Sequence, residues 1–96
     1  MELELRFFAT FREAVGQKEK QETFDDGASV GDVLSTLEGE YEGLDGQLLD
    51  DEGEQRSIRP QLSVLKNGRD VTHMDGPETP LEDGDRLSVF PPVAGG

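Results

Sequence analysis

The sequence predicts one α+β domain, a roll in which a single main helix packs across a mixed β-sheet. Alternating polar and apolar residues mark strands near both ends of the chain, an amphipathic stretch marks one helix, and glycine-containing turns separate the later strands. A chain of 96 residues has room for one core. Leu, Ile, Val and Phe make up a quarter of it, which is enough for a folded domain with a lean core.

The first part of the chain predicts a strand, a short helix and an edge strand. Polar and apolar residues alternate over residues 2–8, so one face of this strand should be buried. A turn of helix is expected from Phe11 to Val15, where Gly16 would end it. The charged run at residues 18–24 tolerates only an edge position in a sheet.

The main helix is predicted to begin at Ser29, whose hydroxyl can cap a free backbone N–H. Asp32 follows in the first turn, where the helix dipole favours an anion. Gly43 is a natural end. Apolar residues recur at helical spacing and define one buried stripe: Val30, Val33, Leu34, Leu37 and Tyr41.

Residues 44–60 are rich in Asp, Glu and Gly, and are predicted to form a loop with Leu48 and Leu49 pointing inward. Residues 61–66 alternate again and predict a strand. The dipeptide 67–68, Asn-Gly, is the strongest hairpin signal in the chain because both turn positions need a positive φ.

A short strand is expected at 69–72, a turn at 83–85 (Asp-Gly-Asp) and a last strand at Leu87–Phe90. The prolines at 91–92 cannot donate ladder hydrogen bonds, so the sheet should end there. A hairpin, a helical crossover and further strands suit the β-grasp arrangement, in which the first and last strands lie side by side in parallel.

The charge of the chain is extreme, with 22 acidic and 9 basic residues and a net charge of −13. The acid is dispersed and lysine is scarce, a composition that resembles proteins of salt-loving archaea, whose self-repulsion is screened by salt. A specific acidic surface for a basic partner is the alternative interpretation. Direct nucleic-acid binding is disfavoured because few cations are available to replace counterions on phosphates.

Cysteine is absent, which removes disulfides, thiolate catalysis and zinc–cysteine sites. The N-terminal residues lack the basic start and apolar run of a signal peptide, and no apolar stretch is long enough to span a membrane. We therefore expect a soluble, cytoplasmic protein that is a monomer when free and binds neither membrane nor metal.

The last residues predict a projecting tail. Pro91 and Pro92 stiffen the chain, and Gly95 and Gly96 carry no side chain, so a Gly-Gly carboxylate can enter a narrow active site where a Cβ would collide. This predicts a β-grasp domain at 1–90 and a flexible C-terminal tail at 91–96.

Four segments together resemble a known family. These are Leu-Arg-Phe-Phe-Ala at 5–9, Val-Leu-Lys-Asn-Gly at 64–68, Asp-Gly-Asp at 83–85 and Phe-Pro-Pro-Val-Ala-Gly-Gly at 90–96. In order and spacing they are similar to the small subunit of molybdopterin synthase and to the ubiquitin-like small archaeal modifier proteins. The resemblance covers nearly the whole chain, and residues 44–60 are its least specific part.

The resemblance implies that an activating enzyme of the ubiquitin-activating type uses ATP to adenylate the Gly96 carboxylate. A target lysine would then form an isopeptide bond, or a sulfur donor would form a thiocarboxylate for the molybdopterin synthase large subunit and molybdenum cofactor biosynthesis. The resemblance also implies that Gly95 and Gly96 enter the catalytic groove of the partner enzyme. The residues that would bind the partner's surface are Phe90, Pro91, Pro92 and Val93. The chain itself would be no enzyme and would hold no cofactor.

Other candidates have simpler explanations. His73 is the one histidine and lacks a second ligand nearby, so a solvated loop residue is expected rather than a metal ligand. The carboxylate pairs at 25–26 and 50–51 are predicted to be solvated turns. The lysines are possible acceptors of a modifier: Lys18, Lys20 and Lys66. A non-covalent ubiquitin-like interaction domain with an incidental ending is the alternative function.

Overall fold

The computed structural model describes residues 1–50 and 56–92. Two helices and seven strands appear in this part of the chain, with three short 3₁₀ turns at Glu42–Leu44, Val71–His73 and Gly76–Glu78. In chain order the elements are β1 (Glu2–Phe7), α1 (Ala9–Val15), β2 (Glu19–Thr23), α2 (Val30–Glu40), β3 (Leu49–Asp50), β4 (Ser57–Ile58), β5 (Ser63–Lys66), β6 (Arg69–Asp70) and β7 (Arg86–Phe90).

The main sheet has five strands in the order β2-β1-β7-β5-β6. Strands β1 and β7 pair in parallel at its centre, and the other neighbours pair antiparallel. The predicted β-grasp arrangement is therefore confirmed, including the adjacent first and last strands. The charged strand β2 lies at an edge, as its composition predicted.

Helix α2 begins with the predicted cap. The Ser29 hydroxyl accepts from the Asp32 backbone N–H, and the Asp32 carboxylate accepts from the Ser29 N–H at 2.9 Å, which completes a capping box. The bond from the Ser29 backbone N–H is the largest cause of the lowered pKa of Asp32, and a hydrogen bond from the Arg56 guanidinium adds to it. The helix ends at Glu40, so Tyr41 caps it rather than extending the stripe, and the expected end at Gly43 is three residues too late.

The core lies between α2 and one face of the sheet. The four aliphatic residues of the predicted helix stripe are fully buried, and so are the inward residues of the central strands. From the sheet, the buried set includes Leu3, Leu5, Phe7, Val64, Leu87 and Val89.

A hydrogen-bonded hairpin fixes the position of β7, from which the tail extends. Asn67 and Gly68 adopt φ values of 50° and 86°, as the Asn-Gly turn predicted. The Asn67 amide donates to the Asp85 carboxylate at 2.9 Å and its carbonyl oxygen accepts from the Arg86 N–H at 2.9 Å. The hairpin and the Asp-Gly-Asp turn are thus locked together at the start of β7.

The predicted loop at 44–60 contains structure that the sequence did not reveal. Strands β3 and β4 pair antiparallel, with Leu49 opposite Ile58. Each strand is two residues long, too short for a periodic signal. Leu48 and Leu49 are buried as expected, and their backbone N–H groups donate to the Glu38 carboxylate. Residues 51–55 lie outside the described part of the chain.

Strand β6 ends at Asp70, two residues before the predicted end at Thr72. The Asp70 carboxylate accepts from the Thr72 backbone N–H at 2.9 Å and turns the chain into the 3₁₀ turn. Strand β7 ends at Phe90 as predicted. Residues 93–96 lie outside the described residues, so the tail at 91–96 stays a prediction.

Candidate docking site at the base of the C-terminal tail

The predicted docking segment begins on a central strand of the sheet. Phe90 ends β7 and lies opposite Ser63 of β5, so the tail extends from the middle of the sheet rather than from an edge. Phe90 and Pro91 are half-buried, and Pro92 is exposed. Val93 and the two terminal glycines, Gly95 and Gly96, lie outside the described residues.

The Phe90 ring stacks on the Phe8 ring, with centroids 4.1 Å apart and planes 10° from parallel. Phe8 has extended backbone angles and continues the alternation of β1 onto the outer face of the sheet, away from α2. Such stacked pairs stabilise a structure beyond their buried area, so the two rings hold each other at the tail base. Sequence reasoning placed Phe8 in a family segment but did not recognise it as part of the site.

Phe8 and Phe90 belong to an uncharged surface, which we call the tail-side patch. The patch also includes Ser63 and Leu65 of β5, and Pro91, which closes a shallow depression with Phe90. None of these five residues is charged, although the chain has 22 acidic residues. An uncharged patch on a strongly charged surface is typical of a docking site for another protein.

The acidic residue opposite Leu65 in the sheet register, Asp70, is hydrogen-bonded within its own segment. The Asp70 carboxylate accepts hydrogen bonds from the backbone N–H and the hydroxyl of Thr72. The backbone bond is the main reason why the pKa of Asp70 is lowered. This carboxylate is therefore ionised and bonded to its own chain beside the patch.

The opposite half of the outer face is charged and internally paired. Arg86 donates to the Glu4 carboxylate at 2.6 Å, and Arg6 lies 3.2 Å from the same carboxylate and 3.5 Å from Glu19. The Arg86 hydrogen bond lowers the pKa of Glu4. The outer face thus divides into a self-neutralised half and the tail-side patch.

The remaining candidates do not form a second site. His73 is exposed in its 3₁₀ turn, and no group of potential metal ligands occurs within residues 1–50 and 56–92. Asp25 and Asp26 are exposed, as expected for a solvated turn. Asp50 is instead half-buried in β3, so the expected turn is wrong at that position, and Asp51 lies outside the described residues.

The three lysines differ in their surroundings. Lys20 donates to the Tyr41 hydroxyl at 2.7 Å and lies 3.6 Å from both Glu22 and Glu40. Lys66 donates to the Pro80 carbonyl at 2.8 Å and lies 3.6 Å from a carboxylate. The Lys18 side chain is exposed.

The fold defines a class: a β-grasp protein of the ubiquitin-like kind, here with an uncharged patch where the last strand ends. The family is equally clear. The chain belongs to the ThiS family, whose sequence profile matches residues 5–96.

Two relatives show the range of that family. The chain is 64% identical over 96 residues to small archaeal modifier protein 3 of Haloferax volcanii, with both chains covered in full. It is 34% identical over 70 residues to the sulfur carrier protein CysO of Mycobacterium tuberculosis, covering 73% of this chain and 74% of the relative. The two relatives are named as a modifier and a sulfur carrier, not as catalytic enzymes, in agreement with the carrier role that the sequence predicted.

A solved structure confirms the fold. A solution structure of a Haloferax volcanii protein superposes with a TM-score of 0.89 at 61% identity, covering 100% of this chain and 87% of the other. The Haloferax relatives also fit the halophilic composition. In the described part of the chain, no helix is both long enough and apolar enough to cross a membrane.

Proposed function

We propose that the Gly96 carboxylate is the reactive group of this protein and that an activating enzyme of the ubiquitin-activating type adenylates it. The observation that carries the proposal is the uncharged tail-side patch at the start of the tail. It gives an enzyme a surface to hold while the narrow Gly95–Gly96 end enters its active site. ATP would be bound by that enzyme, and this chain would supply only the carboxylate.

The chemistry needs no catalytic group on this chain. The carboxylate attacks the α-phosphate of ATP, releases pyrophosphate and forms an acyl adenylate. A lysine amine of a target protein that attacks the acyl carbon releases AMP and forms an isopeptide bond. Hydrosulfide that attacks the same carbon releases AMP and leaves a thiocarboxylate. The nucleophile alone decides the product.

Both products have support from a relative. The 64% identical protein is named a modifier, which favours conjugation to target lysines. The 34% identical protein is named a sulfur carrier, which favours the thiocarboxylate. We propose conjugation and sulfur delivery as alternative fates of one activated intermediate. In the second fate the molybdopterin synthase large subunit would receive the thiocarboxylate in the cytoplasm.

Pyrophosphate exchange tests the activation step directly. The full chain, the activating enzyme and ATP should incorporate labelled pyrophosphate into ATP. A variant lacking Gly95 and Gly96 should not, while its circular dichroism stays unchanged because both residues follow the last strand. Equal exchange by the two proteins would exclude activation at Gly96 and favour a non-covalent interaction domain.

A further inference from the structure

The tail begins on a ridge between two different surfaces. Pro91 borders the depression of the tail-side patch, whereas Pro92 borders a second, polar depression on the other side. Gln61 lines both depressions and so marks the ridge. The polar depression is lined by Gly46, Gln47, Arg59, Gln61, Leu62 and Pro92.

Arg59 is held in a fixed orientation in the polar depression. Its backbone N–H donates to the Leu48 carbonyl at 3.0 Å, and its carbonyl accepts from the Leu62 N–H at 3.0 Å. The side-chain Nε donates to the Gly46 carbonyl at 2.7 Å. One donor thus anchors the guanidinium, and no carboxylate of the described residues forms an ion pair with its terminal amino groups.

This arrangement differs from that of the arginines placed elsewhere on the domain. Arg6, Arg56 and Arg86 each form an ion pair with a carboxylate of the chain. Arg12 and Arg69 form none within residues 1–50 and 56–92, but neither lines a depression at the tail base. Arg59 thus combines a neutral anchor, amino groups that form no ion pair within residues 1–50 and 56–92, and a position beside Pro92.

We propose that Arg59 is a specificity-determining residue that binds a carboxylate side chain of the activating enzyme. The enzyme's groove would then have an apolar wall against the tail-side patch and an acidic wall against Arg59. This inference rests on the proposed function, because it names a contact of the enzyme that activates Gly96. A guanidinium whose amino groups meet no carboxylate of the described residues is suited to a partner's carboxylate, and its anchor reduces the entropy lost on binding.

A tail extended in the enzyme's groove would carry the nucleotide too far from Arg59 for it to be the anion. Four residues follow Pro92, and an extended chain spans about 3.3–3.6 Å per residue. An adenylate on Gly96 would therefore lie about 13–14 Å beyond Pro92 when the tail is extended in the groove. The groove wall that flanks the prolines is the part of the enzyme that Arg59 reaches, so the predicted partner is a protein carboxylate.

Charge reversal tests the contact. We expect Arg59→Glu to raise the KM for this chain in pyrophosphate exchange about tenfold or more, with kcat little changed, because a charged hydrogen bond becomes a repulsion. Arg59→Lys should keep the KM within about threefold, since the charge stays. Arg69→Glu is the control, because it makes the same charge change on β6, away from both depressions. A higher KCl concentration should reduce the difference in KM between the wild type and Arg59→Glu, because salt screens the charges.

A second variant separates docking from folding, because Arg59→Glu also removes the anchor to Gly46. Gln61→Glu adds a negative charge to the same depression and leaves that anchor intact. It should raise the KM as well, whereas Gln21→Glu, on the edge strand β2, should not.

If Gln61→Glu and Arg59→Glu behave like their controls while the wild type is activated, the inference is wrong and the proposed function stands. If the wild type supports no exchange, the proposed function itself is wrong.

Discussion

Replacing Phe90 with Ala distinguishes a ring that serves the docking surface from a ring that serves the core. The ring is half-buried and stacks on Phe8, so alanine removes one aromatic contact and part of the buried area. A fully buried Phe costs about 3–5 kcal/mol when changed to Ala, and a half-buried one should cost roughly 2 kcal/mol, of which the stacking supplies about 0.5–1.5 kcal/mol. For a domain of this size, that loss lowers the Tm by roughly 8–16 °C.

Chemical denaturation should be measured beside a matched control. Phe7 is adjacent to Phe8 on β1 and is 0% exposed, so Phe7→Ala should cost about 3–5 kcal/mol. The double variant Phe8→Ala/Phe90→Ala should cost about 1 kcal/mol less than the sum of the two single changes, because the stacking is lost only once.

In pyrophosphate exchange at a temperature where each variant is folded, Phe90→Ala should raise the KM and Phe7→Ala should not. A cost for Phe90→Ala equal to that of Phe7→Ala, with an unchanged KM, would refute the assignment of Phe90 to the docking surface.

Three further predictions concern charge. Burial, together with a hydrogen bond to Glu40, raises the pKa of Glu22, so ionisation of this carboxyl opposes folding. Glu22→Gln should therefore raise the Tm at neutral pH. The gain should shrink as pH falls and vanish well below the ordinary glutamate pKa of about 4.3, where wild-type Glu22 is protonated in both the folded and the unfolded state. A lower Tm for Glu22→Gln at neutral pH would show instead that pairing with Lys20 dominates. In limited acylation followed by mass spectrometry, Lys18 should be the first lysine to react, because its side chain is exposed. Lys20 should react more slowly because the Tyr41 hydroxyl raises its pKa, and Lys66 because its ammonium donates to the Pro80 carbonyl. Preferential labelling of Lys20 would contradict these contacts. Molar KCl should raise the Tm of a chain with a net charge of −13, and a Tm that KCl does not change would favour the acidic surface as a docking site for a basic partner.

The sequence predicted the parts of the fold that depend on neighbouring residues. Ser29 and Asp32 are three residues apart, and the hydrogen bonds of their capping box join only these two neighbours in sequence. Asn67 and Gly68 adopt the positive φ values that only a few residue types tolerate. Such local preferences, together with alternation along β1, were sufficient to predict the β-grasp arrangement.

The parts that could not be predicted depend on contacts between distant residues. The Phe8–Phe90 stacking joins residues 82 positions apart, and the Arg59 anchor to Gly46 depends on how the chain returns after β3. Arg56 is a further long-range contact, because its side chain packs against Gly31 in the first turn of α2. The contact is so close that a Cβ at position 31 would lie 2.7 Å from the Arg56 Nε. The tail at 91–96 is thus a prediction from local sequence alone, whereas the two depressions beside Pro91 and Pro92 required the structure.

Mass spectrometry of the protein purified from its native cells tests the central claim, activation at Gly96, most directly. No Lys or Arg follows Arg86, so trypsin should leave the whole segment Leu87–Gly96 on a target lysine rather than a short Gly-Gly remnant. We predict target lysines that carry this segment, or an intact chain in which sulfur replaces one oxygen of the Gly96 carboxylate. A free Gly96 carboxylate on every molecule, under every growth condition and with the activating enzyme present, would contradict the claim.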